Sequence, residues 1–394
     1  MISQLSASSE LLFLAGEIPP VGYGVFWIFP GCSSPQFPMS SNWTLENQYL
    51  RVMINPDTGD LSSVFDKIHN REILTGAGNQ LQAFEDSGQY WDAWNIDPNY
   101  AQHPLPATEL KSIQWLEQGI VQSRLRVVRQ LGGSEFCQDY ILQAGSPVLK
   151  IASTVHWREN QVIVKAAFPV NVEADFASYE IPCGAIRRPT QRDTAAAQAK
   201  WEVPALRWAD LTEETEKGIY GVSLLNDCKY GYDSQPRQLR LTLLRSPNWP
   251  DPETDRGFHQ FTYALYPHPG GWESAHTVRR GYELNIPLQV ITYPLIPDHQ
   301  SHPHPDTTRS RVSFLNLSAE NLILMAFKPA EDQTQQLILR CYECHGERGE
   351  LVLQGDLGLS LRNQVDLLEV NSSDLQNLSI QPWKIATFLV NSEQ

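Results

Sequence analysis

Apolar and polar residues alternate at the strand period over much of this chain. Residues 49–55 (Tyr-Leu-Arg-Val-Met-Ile-Asn) and 61–66 (Leu-Ser-Ser-Val-Phe-Asp) flank the turn formers Pro56-Asp57-Thr58-Gly59, which is the pattern of a two-strand reversal. Similar short runs recur over residues 123–130, 148–155, 162–168, 219–225, 239–245, 257–266 and 282–290, separated by Pro, Gly, Asn and Asp. Long segments with apolar residues at the helical i, i+3, i+4 spacing are nearly absent. The period therefore predicts an all-β protein built from one or more large sandwiches.

Two polar, proline-rich stretches, 29–41 and 296–306, interrupt the pattern and divide the chain. They predict a leading β segment with its linker over 1–40, a main domain over 41–298 and a terminal β-sandwich over 299–394. The leading strands, near Leu11-Leu-Phe-Leu-Ala15 and Gly24-Val-Phe-Trp-Ile28, are too few to close a sandwich. They are expected to pair with polypeptide upstream, so the chain reads as part of a longer one.

Composition narrows the chemistry. With 394 residues, 41% hydrophobic and 19% charged, the chain has ample material for a buried core. Its net charge of −15 repels phosphate backbones and anionic membranes, which argues against nucleic acid and membrane partners and suits a neutral ligand such as a sugar. No run approaches the roughly 18–20 apolar residues that span a bilayer. The opening Met1-Ile2-Ser3-Gln4 lacks a secretory n-region. Six cysteines are too sparse for a disulfide scaffold and read as reduced thiols, so a cytoplasmic location is expected.

The segment Ser87-Gly88-Gln89-Tyr90-Trp91-Asp92-Ala93-Trp94-Asn95 places aromatics and an acid in a loop between strands. Rings that stack on C–H faces beside groups that bind hydroxyls suit a saccharide, so Tyr90 and Asp92 are candidate contacts. Trp91 and Trp94 either join them or pack in the core or between loops. Arg256 and His259, with Gly257 between them, sit at the turn entering the 257–266 strand, where binding groups tend to lie. Asp227 reads as a loop acid bonding backbone amides, or else a ligand contact. Arg187, Arg188 and Arg207 read as halves of structural ion pairs, or as site residues. Cys341-Tyr-Glu-Cys344-His345 matches the haem-attachment spacing, yet it lies within a strand–turn–strand pattern and lacks the fourth ligand a zinc site needs. His302 and His304 fall in the second linker. No residue stands out as catalytic, and no metal or cofactor site is expected in this segment.

Several strings, in order, resemble the carboxy-terminal half of glycoside hydrolase family 38 α-mannosidases of the cytosolic and vacuolar type. They are Tyr90-Trp-Asp-Ala-Trp94, Arg188-Pro-Thr190, Arg207-Trp-Ala-Asp210, Tyr220-Gly-Val-Ser-Leu-Leu-Asn-Asp-Cys-Lys-Tyr-Gly-Tyr-Asp233, Leu241-Thr-Leu-Leu-Arg-Ser-Pro247 and Gly257-Phe-His259 through Pro267-His268. Leu339-Arg-Cys-Tyr-Glu-Cys-His-Gly346 is similar to that family's terminal sandwich. The resemblance implies a galactose-mutarotase-like supersandwich flanked by smaller β-sandwich elements, following an upstream catalytic α/β barrel and a helical bundle. It implies retaining hydrolysis of terminal α-linked mannose in mannosides or oligosaccharides, by a carboxylate nucleophile and an acid/base partner. It also implies zinc held by two His and two Asp of the barrel in the parent enzyme. None of those residues has a counterpart here, so this segment alone is expected to be inactive and to contribute the active-site wall and scaffold. Ser87-Gly-Gln-Tyr90 and Asp255-Arg256-Gly257 match two family loops that touch substrate, although Asp255 and Arg256 are adjacent where the family spaces them. The implied roles are a Tyr90 hydrogen bond to mannose and a pocket lining from the Arg256–Gly257 backbone.

Two other readings compete. A free-standing carbohydrate-binding module would use the 90–95 loop. An aldose epimerase would need a facing His and Glu, with His259 as the histidine. The family reading also expects an exposed apolar surface where the barrel would sit.

Overall fold

The computed structural model describes residues 3–5, 11–28, 42–88, 91–216, 218–292, 310–331, 336–370 and 378–392. Both proline-rich linkers, His302, His304 and Tyr90 lie outside these residues. The chain divides into two compact units: Met1–Leu14, Ser34–Ile181 and Ile186–Ile286 form the first, and Ala15–Ser33, Pro182–Ala185 and Pro287–Gln394 the second.

The first unit is all-β. A nine-stranded sheet runs in the order Gly184–Pro189, Phe176–Ile181, Trp208–Thr215, Gly218–Asn226, Gly257–Pro269, Leu149–Trp157, Ser134–Gln143, Gln122–Leu131, Glu109–Gln118. A five-stranded sheet orders Val203–Pro204, Gly231–Gln235, Gln238–Arg245, Val162–Pro169 and Gln80–Glu85. The hairpin read at residues 49–66 forms, with Leu50–Ile54 paired antiparallel to Leu61–Asp66. Alternation decides the faces. Leu125 and Val127, then Ile151, Val155 and Trp157, all enter one core that also holds Ala166, Phe168, Leu239 and Leu241 of the five-stranded sheet. Rings meet across it: Phe168 and Tyr263 lie 6.3 Å apart, and Tyr179 and Tyr232 6.2 Å.

Val162–Pro169 is buried at every residue but its last. Its second face is covered where Ile163 packs with Phe84 and Tyr100, which is why its sequence is a continuous apolar run. Lys165 interrupts that run and is fully buried. Its ammonium donates to the carboxylates of Glu202 and of Asp233, the latter at 2.7 Å. Arg240 donates to the other Asp233 oxygen at 2.8 Å and to the Tyr100 hydroxyl at 3.1 Å.

Two local readings change. The run expected as a strand over 282–290 begins instead inside a helix, Thr277–Asn285. Its buried positions, Thr277, Val278 and Gly281, have the spacing of one helical face, and Gly281 lies against Arg207 and Trp208. Pro287 disfavours helix at the residue before it. The leading strands have partners among the described residues. Ser3–Leu5 pairs with Leu11–Phe13, and the Gln4 carboxamide accepts from the Val121 and Gln122 amides at 3.0 Å each. Gly22–Gly24 pairs with Arg311–Ser313 of the second unit.

The second unit carries a four-stranded antiparallel sheet ordered Leu322–Pro329, Leu337–Glu343, Ile385–Ser392, Leu359–Val365, around Leu339, Cys341, Phe388 and Val390. Cys341 thus sits on a strand, as its surroundings predicted, and burial pushes its thiol up to about 12. In native protein at pH 8, Cys341 is expected to resist a disulfide reagent for as long as the sheet holds, and to react once denaturant opens it. Peptide mapping of labelled thiols checks this; rapid native labelling would show that the sheet opens locally. Among the described residues no helix is long and apolar enough to cross a membrane.

Candidate functional site

The loop after strand Gln80–Glu85 and the connection between strands Gln238–Arg245 and Gly257–Pro269 are separate in sequence and joined in space. Asp86, buried at the strand end, receives the Arg245 Nε–H on one carboxylate oxygen and the Asp97 amide at 2.8 Å on the other. Arg245 reaches two further carbonyls of the loop, Asn95 at 2.5 Å and Ala93 at 3.4 Å. Asp92 faces the opposite way: its carboxylate accepts the Asn248 and Trp249 amides at 2.7 and 2.8 Å. The Ala93 amide then donates to the Trp249 carbonyl at 3.2 Å. Burial disfavours the charged form of Asp92, yet the two amides and the Arg245 guanidinium outweigh it and hold the carboxyl below its ordinary value.

Local conformation makes the loop possible. Gly88 adopts φ +54°, and a Cβ there would stand 2.7 Å from the Asp92 Cβ, so only glycine fits. Trp91 also has positive φ. Its ring packs against Trp249 at 3.9 Å between centroids, and Trp94 lies 5.9 Å from Trp249. The three indoles remain 52%, 74% and 44% exposed for Trp91, Trp94 and Trp249. Trp91 therefore packs between loops, one of its two expected roles, but in a surface cluster rather than a core. Exposed aromatic faces of this kind can stack on pyranose rings or against an apolar partner.

The remaining selected residues lie at the far end of the second connection. Gly257 has φ +124°, which only glycine adopts readily, and so begins its strand where a side chain would be strained. Arg256 stands 3.5 Å from Glu253. His259 is half-buried, and its Nε2 lies 2.7 Å from the Asp255 carbonyl; among the described residues no carboxylate is bonded to it. Neighbouring Phe258 is exposed and stacks on His156 at 4.4 Å. Thus Asp92 and Arg256 belong to two cross-braced loops, with Asp92 spent on bracing, and Gly257 and His259 lie at the start of the strand that follows. Asp227 accepts the Thr262 amide at 2.8 Å, in keeping with its loop reading.

Arg245, Asp86, Asn248 and Trp249 escaped the sequence reading. Arg245 lies at the end of an expected strand and Asp86 between two motifs, and only the pairing of distant strands shows that they meet. An open cleft of about 940 Å³, lined by His69, Arg71, Glu213 and Tyr220 among others, lies elsewhere. It borders Pro269, at the opposite end of the 13-residue strand that begins with Gly257, roughly 40 Å away along the strand. No selected site residue lines it. Among the described residues no group of three or more His, Cys, Asp or Glu could hold a metal ion.

Comparison with known proteins bears on this geometry. Residues 45–253 match the model of the glycosyl hydrolases family 38 C-terminal domain, and residues 321–388 that of the family 38 C-terminal beta sandwich domain. Alpha-mannosidase 2C1 of Mus musculus is 36% identical over 332 residues, covering 83% of this chain and 30% of the mouse protein. Alpha-mannosidase G of Dictyostelium discoideum is 31% identical over 366 residues, 89% of this chain and 32% of its own length. The chain thus spans about a third of the curated relatives it matches. A crystal structure of an alpha-mannosidase from Enterococcus faecalis V583 shares the fold, with a TM-score of 0.71 at 14% identity over 89% of this chain and 42% of that one.

Proposed function

Because this chain belongs to glycoside hydrolase family 38 and carries its carboxy-terminal domains, we propose that it is the carboxy-terminal part of a retaining α-mannosidase acting on terminal α-linked mannose. The observation that carries this reading is the cross-braced pair of loops, 86–97 and 246–256. It presents an exposed aromatic surface with Tyr90 on the same loop. On this reading the loops wall an active site whose nucleophile, acid/base carboxyl and zinc belong to an upstream barrel of the same enzyme. Retention requires the two carboxyl groups about 5–5.5 Å apart and a covalent glycosyl intermediate. The β domains contribute position: Tyr90 bonds a mannose hydroxyl, and the Arg256–Gly257 backbone lines the pocket. Asp92 acts through the loop it holds. The enzyme works in the cytoplasm on mannosides or oligosaccharides. The domains run as 1–40, 41–298 and 299–394.

The test is hydrolysis of a chromogenic α-mannoside, with zinc present, by this chain and by a polypeptide that adds the upstream portion. The expected result is turnover only in the longer polypeptide. Turnover by this chain alone would place the nucleophile within these 394 residues and end the reading.

The exposed indoles favour a second reading, in which the chain itself binds saccharide as a module. Quenching of tryptophan fluorescence by mannose oligomers, lost in Trp94→Ala, would support it. A flat titration would leave the indoles as a face that packs against protein.

A further inference from the structure

Arg188 does not make the ion pair its sequence suggests. Arg207 does: its guanidinium donates to the Glu180 carboxylate at 2.6 Å from Nη2 and 3.0 Å from Nε. Arg188 instead lies over the Tyr179 ring, 4.8 Å from its centroid, and its buried Nη1 meets no acceptor among the described residues. Burial lowers its pKa and Tyr179 opposes this, and among the described residues no carboxylate forms an ion pair with it. A buried donor left in that state costs free energy unless something accepts from it.

A small cavity adjoins it. Arg188, Arg192 and Lys200 line it together with Tyr179, Ser234 and Asp233, and its volume is about 10 Å³. That is room for the centre of one water-sized species, and too little for sulfate, phosphate or a carboxylate. The hydrogen bonds around it leave donors unspent. Tyr179 donates its hydroxyl to Ser234 Oγ at 2.7 Å, so the Ser234 proton remains available. Asp233 is the carboxylate in the lining, and Lys165 and Arg240 already occupy both its oxygens. Arg192 donates from Nη2 to the Trp201 carbonyl, a neutral acceptor, at 3.0 Å. Three cationic side chains and a hydroxyl donor thus line one small cavity.

We infer that this cavity binds a small monovalent anion of chloride size, held by Arg188, Lys200 and the Ser234 hydroxyl. A water molecule would accept the hydrogen bonds but leave the guanidinium without a counter-charge. The whole-chain charge of −15 repels anions in general, so occupancy would be a property of this site. An anion here would tie strand Gly184–Pro189 to strand Gly231–Gln235 and to the segment around Lys200, none of which the catalytic reading involves.

Thermal unfolding of the chain at pH 7 and constant ionic strength tests this, with sodium chloride replacing sodium gluconate, whose anion is too large to enter. The melting temperature is expected to rise saturably by about 3 °C, with bromide, the larger ion, less effective. The rise should vanish in Arg188→Gln and shrink in Lys200→Gln, an exposed position that keeps the test open if the arginine variant fails to fold. Crystals soaked in sodium bromide should show an anomalous peak in the cavity. No halide-specific rise, or a rise without that peak, would overturn the assignment and leave a water in the cavity.

Discussion

Replacing Asp233 by alanine is expected to lower the stability of the first unit by about 3–5 kcal/mol, the range for breaking a buried ion pair by removing one partner. At this size that corresponds to a fall in melting temperature of about 10 °C. Asp233 is fully buried between Lys165 and Arg240, and its loss leaves the Arg240 guanidinium without its carboxylate and Lys165 with Glu202 alone. Replacing both members of one pair, as Arg240→Leu with Asp233→Leu, should cost less than the single change, because two buried charges leave together and Lys165 keeps Glu202. A single variant as stable as wild type would mean that water reaches the pair. The pH dependence has a definite sign. Burial raises the Asp233 pKa, but Lys165 and Arg240 outweigh it and hold it below the ordinary value. A carboxyl depressed in the folded state adds stability above its unfolded pKa of about 3.9. That contribution is lost as pH falls through the folded value. Wild-type protein should therefore lose this contribution below about pH 4, and Asp233→Ala should show a flatter acid limb when melting is followed from pH 7 to pH 3.

The second large effect falls on activity. In the complete enzyme, Asp92→Ala is expected to reduce kcat/KM for an aryl α-mannoside by about 100-fold, the scale on which small displacements of positioning groups act. Asp92 touches no reacting atom on this reading. It accepts the Asn248 and Trp249 amides and so fixes the loop carrying Tyr90 against the connection leading to Arg256. Asp92→Asn keeps one acceptor and should fall between wild type and alanine. Melting should change little, because the loops are largely exposed, and this separates displacement from unfolding. An unchanged kcat/KM, with the loop visibly displaced in a crystal structure of the variant, would mean that the loop does not wall the active site.

Strand positions were legible where they lay on a face that alternates or runs continuously apolar, because burial on one side of a sheet imposes period two. Residues 122–131, 149–157, 162–169 and 257–269 all read correctly for that reason. The helix Thr277–Asn285 did not, because only Thr277, Val278 and Gly281 are buried along it and two of these are not strong hydrophobes. The family was also legible, since its strings survive in order along the chain. The candidate loops were visible as aromatic and acidic residues between strands, but their joining was not. Asp86 and Arg245 are 159 residues apart, and Asp92 and Trp249 157. Arg188 and Arg207 look alike in sequence, and only packing shows that one has a carboxylate and the other a cavity. The sequence by itself determined the all-β class, the family and which loops carry candidate chemistry, because these depend on local periodicity and short strings. The tertiary structure alone decided which charges pair, which indoles stay exposed and where Asp92 spends its carboxylate. Those outcomes follow from long-range strand order, which brings together groups that no local pattern relates.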